Sequence, residues 1–188
     1  MISVASAGCR PTETVFRITD HPVGAAALRY HERFDECYYF RHPEGTVEVV
    51  ARRTSRQDEN GEPITQVVHI RNVWPTILGT THAERTMINS TVAYMIASPG
   101  GGSSFEGGGF FTHQQDQAAG ALTGVLESSS VLPQRRVGAG HRIFERAEVT
   151  GTVVAVEDKR RAQRILNDMD RLLGPKPAYR PPPPPDVR

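Results

Sequence analysis

Apolar and polar residues alternate along much of this chain, and period-two alternation places one row of side chains on each face of an extended strand. On that basis residues 14–18 (Thr-Val-Phe-Arg-Ile) predict a first strand, and the aromatic-rich run from Cys37 to Phe40 predicts another. Between them, residues 22–33 carry Pro22 and Gly24 ahead of Ala25–Leu28, which points to a short helical turn or a loop. His42-Pro43-Glu44-Gly45 has its proline and glycine where a tight turn wants them, and feeds a strand over 46–54 with Val47, Val49 and Ala51 on one face. The polar stretch Gln57–Pro63, containing Asn60-Gly61, predicts a hairpin tip leading into a return strand over 64–74. In that strand Val68, Ile70 and Trp74 share one face and His69 and Arg71 the other, and Pro75 ends it.

Residues 86–98 are apolar on both rows, Ile88, Val92, Tyr94 and Ile96 against Met87, Ala93, Met95 and Ala97, so this strand is expected to be covered on both faces. Pro99–Ser104 is expected as a flexible turn. Gly107–Gly109, set among Phe105, Phe110 and Phe111, suggests a strand interrupted by a bulge or a close backbone approach. Two more strands are expected over 121–127 and 142–156, the second bending at Gly151. Only then does the period change. Asp158 caps a helix whose apolar positions Ala162, Ile165, Leu166, Met169, Leu172 and Leu173 follow three-and-four spacing, and Gly174-Pro175 stops it.

About eight strands followed by one helix predict a mainly-β single domain, an antiparallel β-sandwich or a small β-barrel with one C-terminal amphipathic α-helix. The expected organisation is a flexible N-terminus over 1–12, a β-rich domain over 13–174, and a disordered tail over 175–188 in which Pro181–Pro185 is extended polyproline. That order of elements is similar to lipocalins, but their tryptophan follows a glycine in the first strand, whereas Trp74 follows Val73 far downstream. The likeness implies architecture and no function.

Lys and Arg total 22 against 21 Asp and Glu, a balance that excludes a dedicated nucleic-acid-coating protein, and no nucleic-acid partner is expected. No run of about 20 apolar residues is present to span a membrane as a helix. Two cysteines, Cys9 and Cys37, make neither a disulfide framework nor a four-cysteine zinc site, and a bridge between them fits only an oxidising compartment. The small residues Ser6, Ala7 and Gly8 run straight into Cys9, which resembles the end of a bacterial lipoprotein signal, where the cysteine after the cleavage site carries the lipid. A complete signal needs a basic and an apolar part before that site, so this resemblance holds only with a start upstream of Met1. It implies lipidation at Cys9, membrane association through that anchor alone, and residence in the cell envelope or periplasm; without the lipid the expectation is the cytoplasm.

Motifs for chemistry are sparse. Neither glycine run is followed by Gly-Lys-Ser/Thr or opens a βαβ unit, so no phosphate loop, dinucleotide fingerprint or other cofactor site is expected. No Gly-x-Ser-x-Gly occurs, Ser128–Ser130 lie in a turn-like stretch, and Glu145 and Glu148 would face opposite sides of a strand, so no catalytic residue is named. The seven histidines show no metal-binding spacing and no metal is expected; His69 and His113 are the two best placed for a site built across strands. Trp74, Tyr94, Phe110 and Phe111 are the candidate lining for a small apolar ligand. Arg135, Arg136, Arg142 and Arg160 form a basic group suited to an anion or a lipid headgroup, balanced against its reading as a solvated helix face. The first expectation is therefore a non-enzymatic structural or interaction subunit with a protein partner, the second an apolar-ligand-binding barrel module, and the third an enzyme of unidentified class. Arg180 ahead of the prolines also suits an SH3-like groove.

Overall fold

The computed structural model describes residues 12–22, 24, 26–55, 61–73, 88–138 and 146–174, and Cys9, Trp74, Arg142 and the polyproline segment lie outside them. The described residues form nine strands and one helix: β1 (Thr14–Asp20), β2 (Leu28–Phe34), β3 (Glu36–Arg41), β4 (Val47–Ser55), β5 (Ile64–Asn72), β6 (Ser90–Ser98), β7 (Gly101–Asp116), β8 (Ala121–Gly138), β9 (Ala147–Glu157) and α1 (Lys159–Leu173). The strands make one sheet in the order β2-β1-β9-β3-β4-β5-β6-β7-β8, and a further pairing of β8 with β9 closes it into a ring. The barrel is thus realised rather than the sandwich. All its pairings are antiparallel except the short β3–β9 contact at Tyr38–Val156 and Tyr39–Glu157, which is parallel. β9 shares its second edge between β1, over residues 147–152, and β3, at 156–157.

Alternation decides what fills the ring. Phe16, Ile18, Phe34, Tyr39, Val49, Val68, Ile70, Tyr94, Ile96, Phe105, Phe111, Leu122, Leu126, Val149 and Val153 belong to one buried cluster, the barrel interior. Its aromatic rings meet one another, Phe16 edge-on to Phe34 at 5.1 Å and Tyr94 tilted on Phe105 at 6.2 Å. The opposite rows, Tyr38, Phe40, Val50, Val67, Met95 and Ala97, form a second cluster with Ala162, Ile165, Met169 and Leu173 of the helix. Two apolar rows on β6 thus mean one row facing the interior and one facing α1. Asp158 caps the helix by accepting from Arg161 N at 2.9 Å, and Gly174 ends it at φ 68°. The first turn carries Lys159, Arg160 and Arg161 and no acid, which opposes the helix dipole. Two of these cations find aromatic faces on β3, Lys159 over Phe40 at 5.9 Å and Arg161 over Tyr38 at 5.5 Å, with Arg161 Nη1 donating to the Tyr38 hydroxyl at 3.0 Å.

Three expectations are corrected. The segment 28–34 is strand β2, antiparallel to β1, with Phe34 buried inside the ring. Pro99–Ser104 is a turn only at its start, because β7 begins at Gly101; the irregularity expected around Gly107–Gly109 is present, as register shifts against β8 at Ser104/Phe105 and Phe110/Phe111 and a close approach of Gly107 to the Ser130 carbonyl. Ser128–Ser130 lie within β8, whose polar composition and Pro133 hide a strand held by neighbours on both sides. There the chain carries a bulge: Phe110 pairs with Ser128 and Phe111 with Leu126, leaving Glu127 extra. The Ser129 hydroxyl repairs the ladder, donating to Val149 O at 2.7 Å and accepting from Val149 N at 3.2 Å.

Gly151 lies where β9 passes between β1 and β8, and a Cβ there would stand 2.2 Å from the Val15 carbonyl oxygen. Gly151→Ala must push β1 off β9, and urea denaturation is expected to show a loss of at least about 1–3 kcal/mol. A loss no larger than that of an exposed glycine such as Gly100, where a Cβ meets nothing, would show that this crossing is not tight.

Candidate functional site

The interior rows change character at one end of the barrel, where β3, β5 and β9 finish and β4 and β6 begin. After Tyr39 the next interior position on β3 is Arg41; after Ile70 on β5 it is Asn72; after Phe111 on β7 it is His113. Each is two residues beyond an apolar interior side chain, so the strand period aims all three at the same mouth. The His113 ring stacks on the Phe111 ring, centroids 5.5 Å apart and planes within 15°. Gly124 makes room for this stack, since a Cβ there would meet Phe111 Cζ at 2.6 Å. Asn72 Nδ2 stands 3.5 Å from His113 Nδ1. Beneath them the Tyr39 hydroxyl donates to Glu157 Oε2 at 3.3 Å and lies within reach of the Arg41 guanidinium.

Two unpaired buried side-chain atoms of the described residues sit at this mouth: Arg41 Nε and Asn72 Oδ1. Asn72 is 5% exposed. Turning the amide end for end exchanges the atom that faces His113 for the one that is unpaired, and one polar end lacks a partner either way. An unpaired buried polar group costs about 1–3 kcal/mol, so two at one site stand out against the packed interior. Burial, with the Arg41 charge beside it, holds His113 below the ordinary histidine pKa, so its ring is neutral at pH 7. Burial pushes the Tyr39 phenol up, keeping its proton on oxygen.

The four aromatic candidates do not converge. Tyr94 and Phe111 belong to the packed interior, Trp74 lies outside the described residues, and Phe110 lines a separate cleft on the outer face. That cleft, about 430 Å³, opens beside the β8 bulge between Ile88, Gly108, Phe110, Ser130, Glu148 and Thr150. The basic group is likewise divided. Arg135 is buried against the end of α1, its Nη1 donating to Gly174 O at 2.7 Å, its Nε to Ser104 Oγ at 3.1 Å, and Nη2 3.4 Å from Asp170. Arg160 sits at the start of the same helix, ten residues or about 15 Å along the axis from Asp170. Arg136 is exposed on β8, and Arg142 and the lipidation candidate Cys9 fall outside the described residues. Cys37 packs against the interior cluster, and burial pushes its thiol up to about 12, so it is not a nucleophile at neutral pH.

Among the described residues no group of three or more His, Cys, Asp and Glu side chains is placed to hold a metal ion. His69 instead binds Glu48 on the outer face of β4. Glu48 Oε2 lies 2.9 Å from His69 Nε2, Oε1 lies 2.8 Å from His42 Nε2, and Arg71 Nε approaches Oε1 at 3.4 Å. The antiparallel pairing of β5 with β4, which sets Arg71 opposite Glu48 and His69 opposite Val50, brings these groups together, and nothing in their spacing announces it. The carboxylate is buried, which works against its charge, but the bonds and charges of His69 and His42 outweigh this and bring its pKa from the ordinary 4.5 down to about 2.

A carboxyl whose pKa is lowered by folding stabilises the fold fully above its unfolded value and loses that contribution as pH falls toward the folded one. Glu48 is therefore expected to supply on the order of 2 kcal/mol at pH 7 that fades between about pH 4.5 and 2. Urea midpoints of the natural chain and Glu48→Gln across that range should converge at the acid end; a constant gap would disprove the assignment. Comparison of the chain with protein-family models, with curated proteins and with solved structures finds no match.

Proposed function

We propose that this protein is a β-barrel binding module that takes a small organic anion at the mouth formed by Arg41, Asn72 and His113. The observation that carries the reading is the pair of unpaired buried atoms, Arg41 Nε and the free amide end of Asn72, on converging interior rows of two strands. A carboxylate supplies what this mouth lacks, an acceptor for a fixed guanidinium N–H, while an adjoining polar group reaches the Asn72 amide. The packed aromatic interior beneath supports a ligand seated on the barrel's rim rather than an apolar one threaded into it. The acidic Glu157 beside the cluster is engaged by the bond from the Tyr39 hydroxyl.

Titration with propionate, followed by backbone amide shifts, is expected to move residues 39–41, 72 and 111–113 together. Arg41→Gln should weaken that binding about 10–100-fold, the worth of one charge-assisted hydrogen bond. An absence of shifts at these positions at roughly 10 mM propionate would remove the reading.

A further inference from the structure

We propose that the cleft beside the β8 bulge is a second binding site, for a small organic cation with an apolar body, such as an aryl- or alkylammonium. It lies on the outer face of the barrel and shares no residue with the mouth at Arg41, Asn72 and His113, so one site can exist without the other. Strand alternation and one bulge build it. On β9, Glu148 and Thr150 face outward on either side of the interior Val149. On β7, Gly108 and Phe110 face outward ahead of the interior Phe111. Between these strands β8 would ordinarily turn every second residue outward. The bulge instead exposes two in succession, Glu127 and Ser128, between the interior Leu126 and the buried Ser129. Register then sets Ser130 between Gly108 and Glu148 in one row across the three strands.

The apolar wall is held in place by Asn89. Its side chain stands in for a strand partner of Phe111, accepting from Phe111 N at 2.8 Å and donating to Phe111 O at 2.9 Å, while its own amide donates to Gly109 O at 3.1 Å. The neighbouring Ile88 thereby lies over Gly108, where a Cβ would meet Ile88 Cγ2 at 2.8 Å. Ile88 remains 64% exposed and borders a cleft of about 430 Å³, a size that suits a small molecule.

Hydrogen-bonding chemistry selects the ligand. The polar side chains lining the cleft are two carboxylates, Glu127 and Glu148, and the hydroxyls of serines and Thr150; no described residue there is a Lys, Arg or His. Carboxylates only accept, and hydroxyls also accept, so the complementary group is a charged one with several donors, which an ammonium supplies. The two carboxylates are not equivalent. His21 Nε2 lies 3.4 Å from Glu148 Oε1, and Arg17 stands opposite Thr150, so the β1 side of the cleft already carries basic groups. Glu127 makes no ion pair with any described residue. The residue that the bulge adds is thus the anchor for the ligand's charge, with Ile88 and Phe110 beside its apolar body.

Amide shifts of the full chain titrated with phenethylammonium test this, with phenethyl alcohol as the uncharged probe of similar shape. The ammonium is expected to move residues 88–89, 108–110, 127–130 and 148–150 together and to bind about 3–10-fold tighter than the alcohol, the worth of one charge pair at a half-open site. Glu127→Gln, at an exposed position, should bring the two probes to within about twofold of each other, and Glu148→Gln should narrow the gap less. Ile88→Ala should weaken both probes alike, by about 2–5-fold. Equal binding of the two probes to the natural chain, or a preference for the ammonium that survives in both glutamine variants, would overturn the proposal. So would an absence of shifts at these positions at roughly 10 mM phenethylammonium. Propionate binding at the mouth is read from residues 39–41 and 72, so failure of either site is seen separately.

Discussion

Strand β9 hydrogen-bonds to β8 along one edge and to β1 and then β3 along the other, and the closed barrel depends on that sharing. A sheet with this many apolar positions on one face must cover them, and closure does so without leaving a long edge. The cost is crowding at the crossing, which Gly151 relieves by letting Phe16 and the Val15 carbonyl approach where a side chain would stand. Because β9 ends directly in Asp158, whose amide donates to Tyr39 O at 3.0 Å, the same strand also sets where the helix starts. The helix then runs back along the outside, and Arg135 ties its far end to β8 and, through Ser104, to β7.

This arrangement explains why polar side chains gather at one mouth. Interior rows on β3, β5 and β7 are apolar through the middle of the barrel and turn polar at the next step, at Arg41, Asn72 and His113. Folding leaves Arg41 Nε and one end of Asn72 without partners there, a cost borne by a fold that could have placed apolar residues instead. The outer Glu48 group is the contrasting case: its carboxylate is buried, but two imidazoles and Arg71 surround it, so it stabilises without inviting a ligand.

Much of the local structure was legible because alternation survives in the sequence. Val47, Val49 and Ala51 share the interior face as their spacing predicts, and so do Val68 and Ile70. The helix shows the same agreement, with Ala162, Ile165, Met169 and Leu173 buried, although Leu172 stays 45% exposed on its flank. What was not legible has physical reasons. Residues 28–34 alternate weakly because the charged Glu32 shares the row of Tyr30 and Phe34, where it pairs with Arg53, and 128–138 are polar because their pairing comes from β7 and β9 rather than from their own hydrophobicity. Arg135 looked like part of a basic surface because charge along a chain does not reveal burial; its solvent-shielded bonds exist only when Gly174 arrives.

Period-two and period-three-to-four patterns by themselves determined that this chain makes strands followed by one capped, amphipathic helix. They follow from local backbone geometry, which needs only neighbouring residues. Tertiary structure alone decided that the strands close through β9, that one row of β6 faces the interior and the other the helix, and that Arg41, Asn72 and His113 meet at one mouth. Those three side chains lie 31 and 41 residues apart along the chain, on β3, β5 and β7, and no local preference acts over such distances. Their meeting depends on strand register and tilt, which the closing of the whole barrel sets.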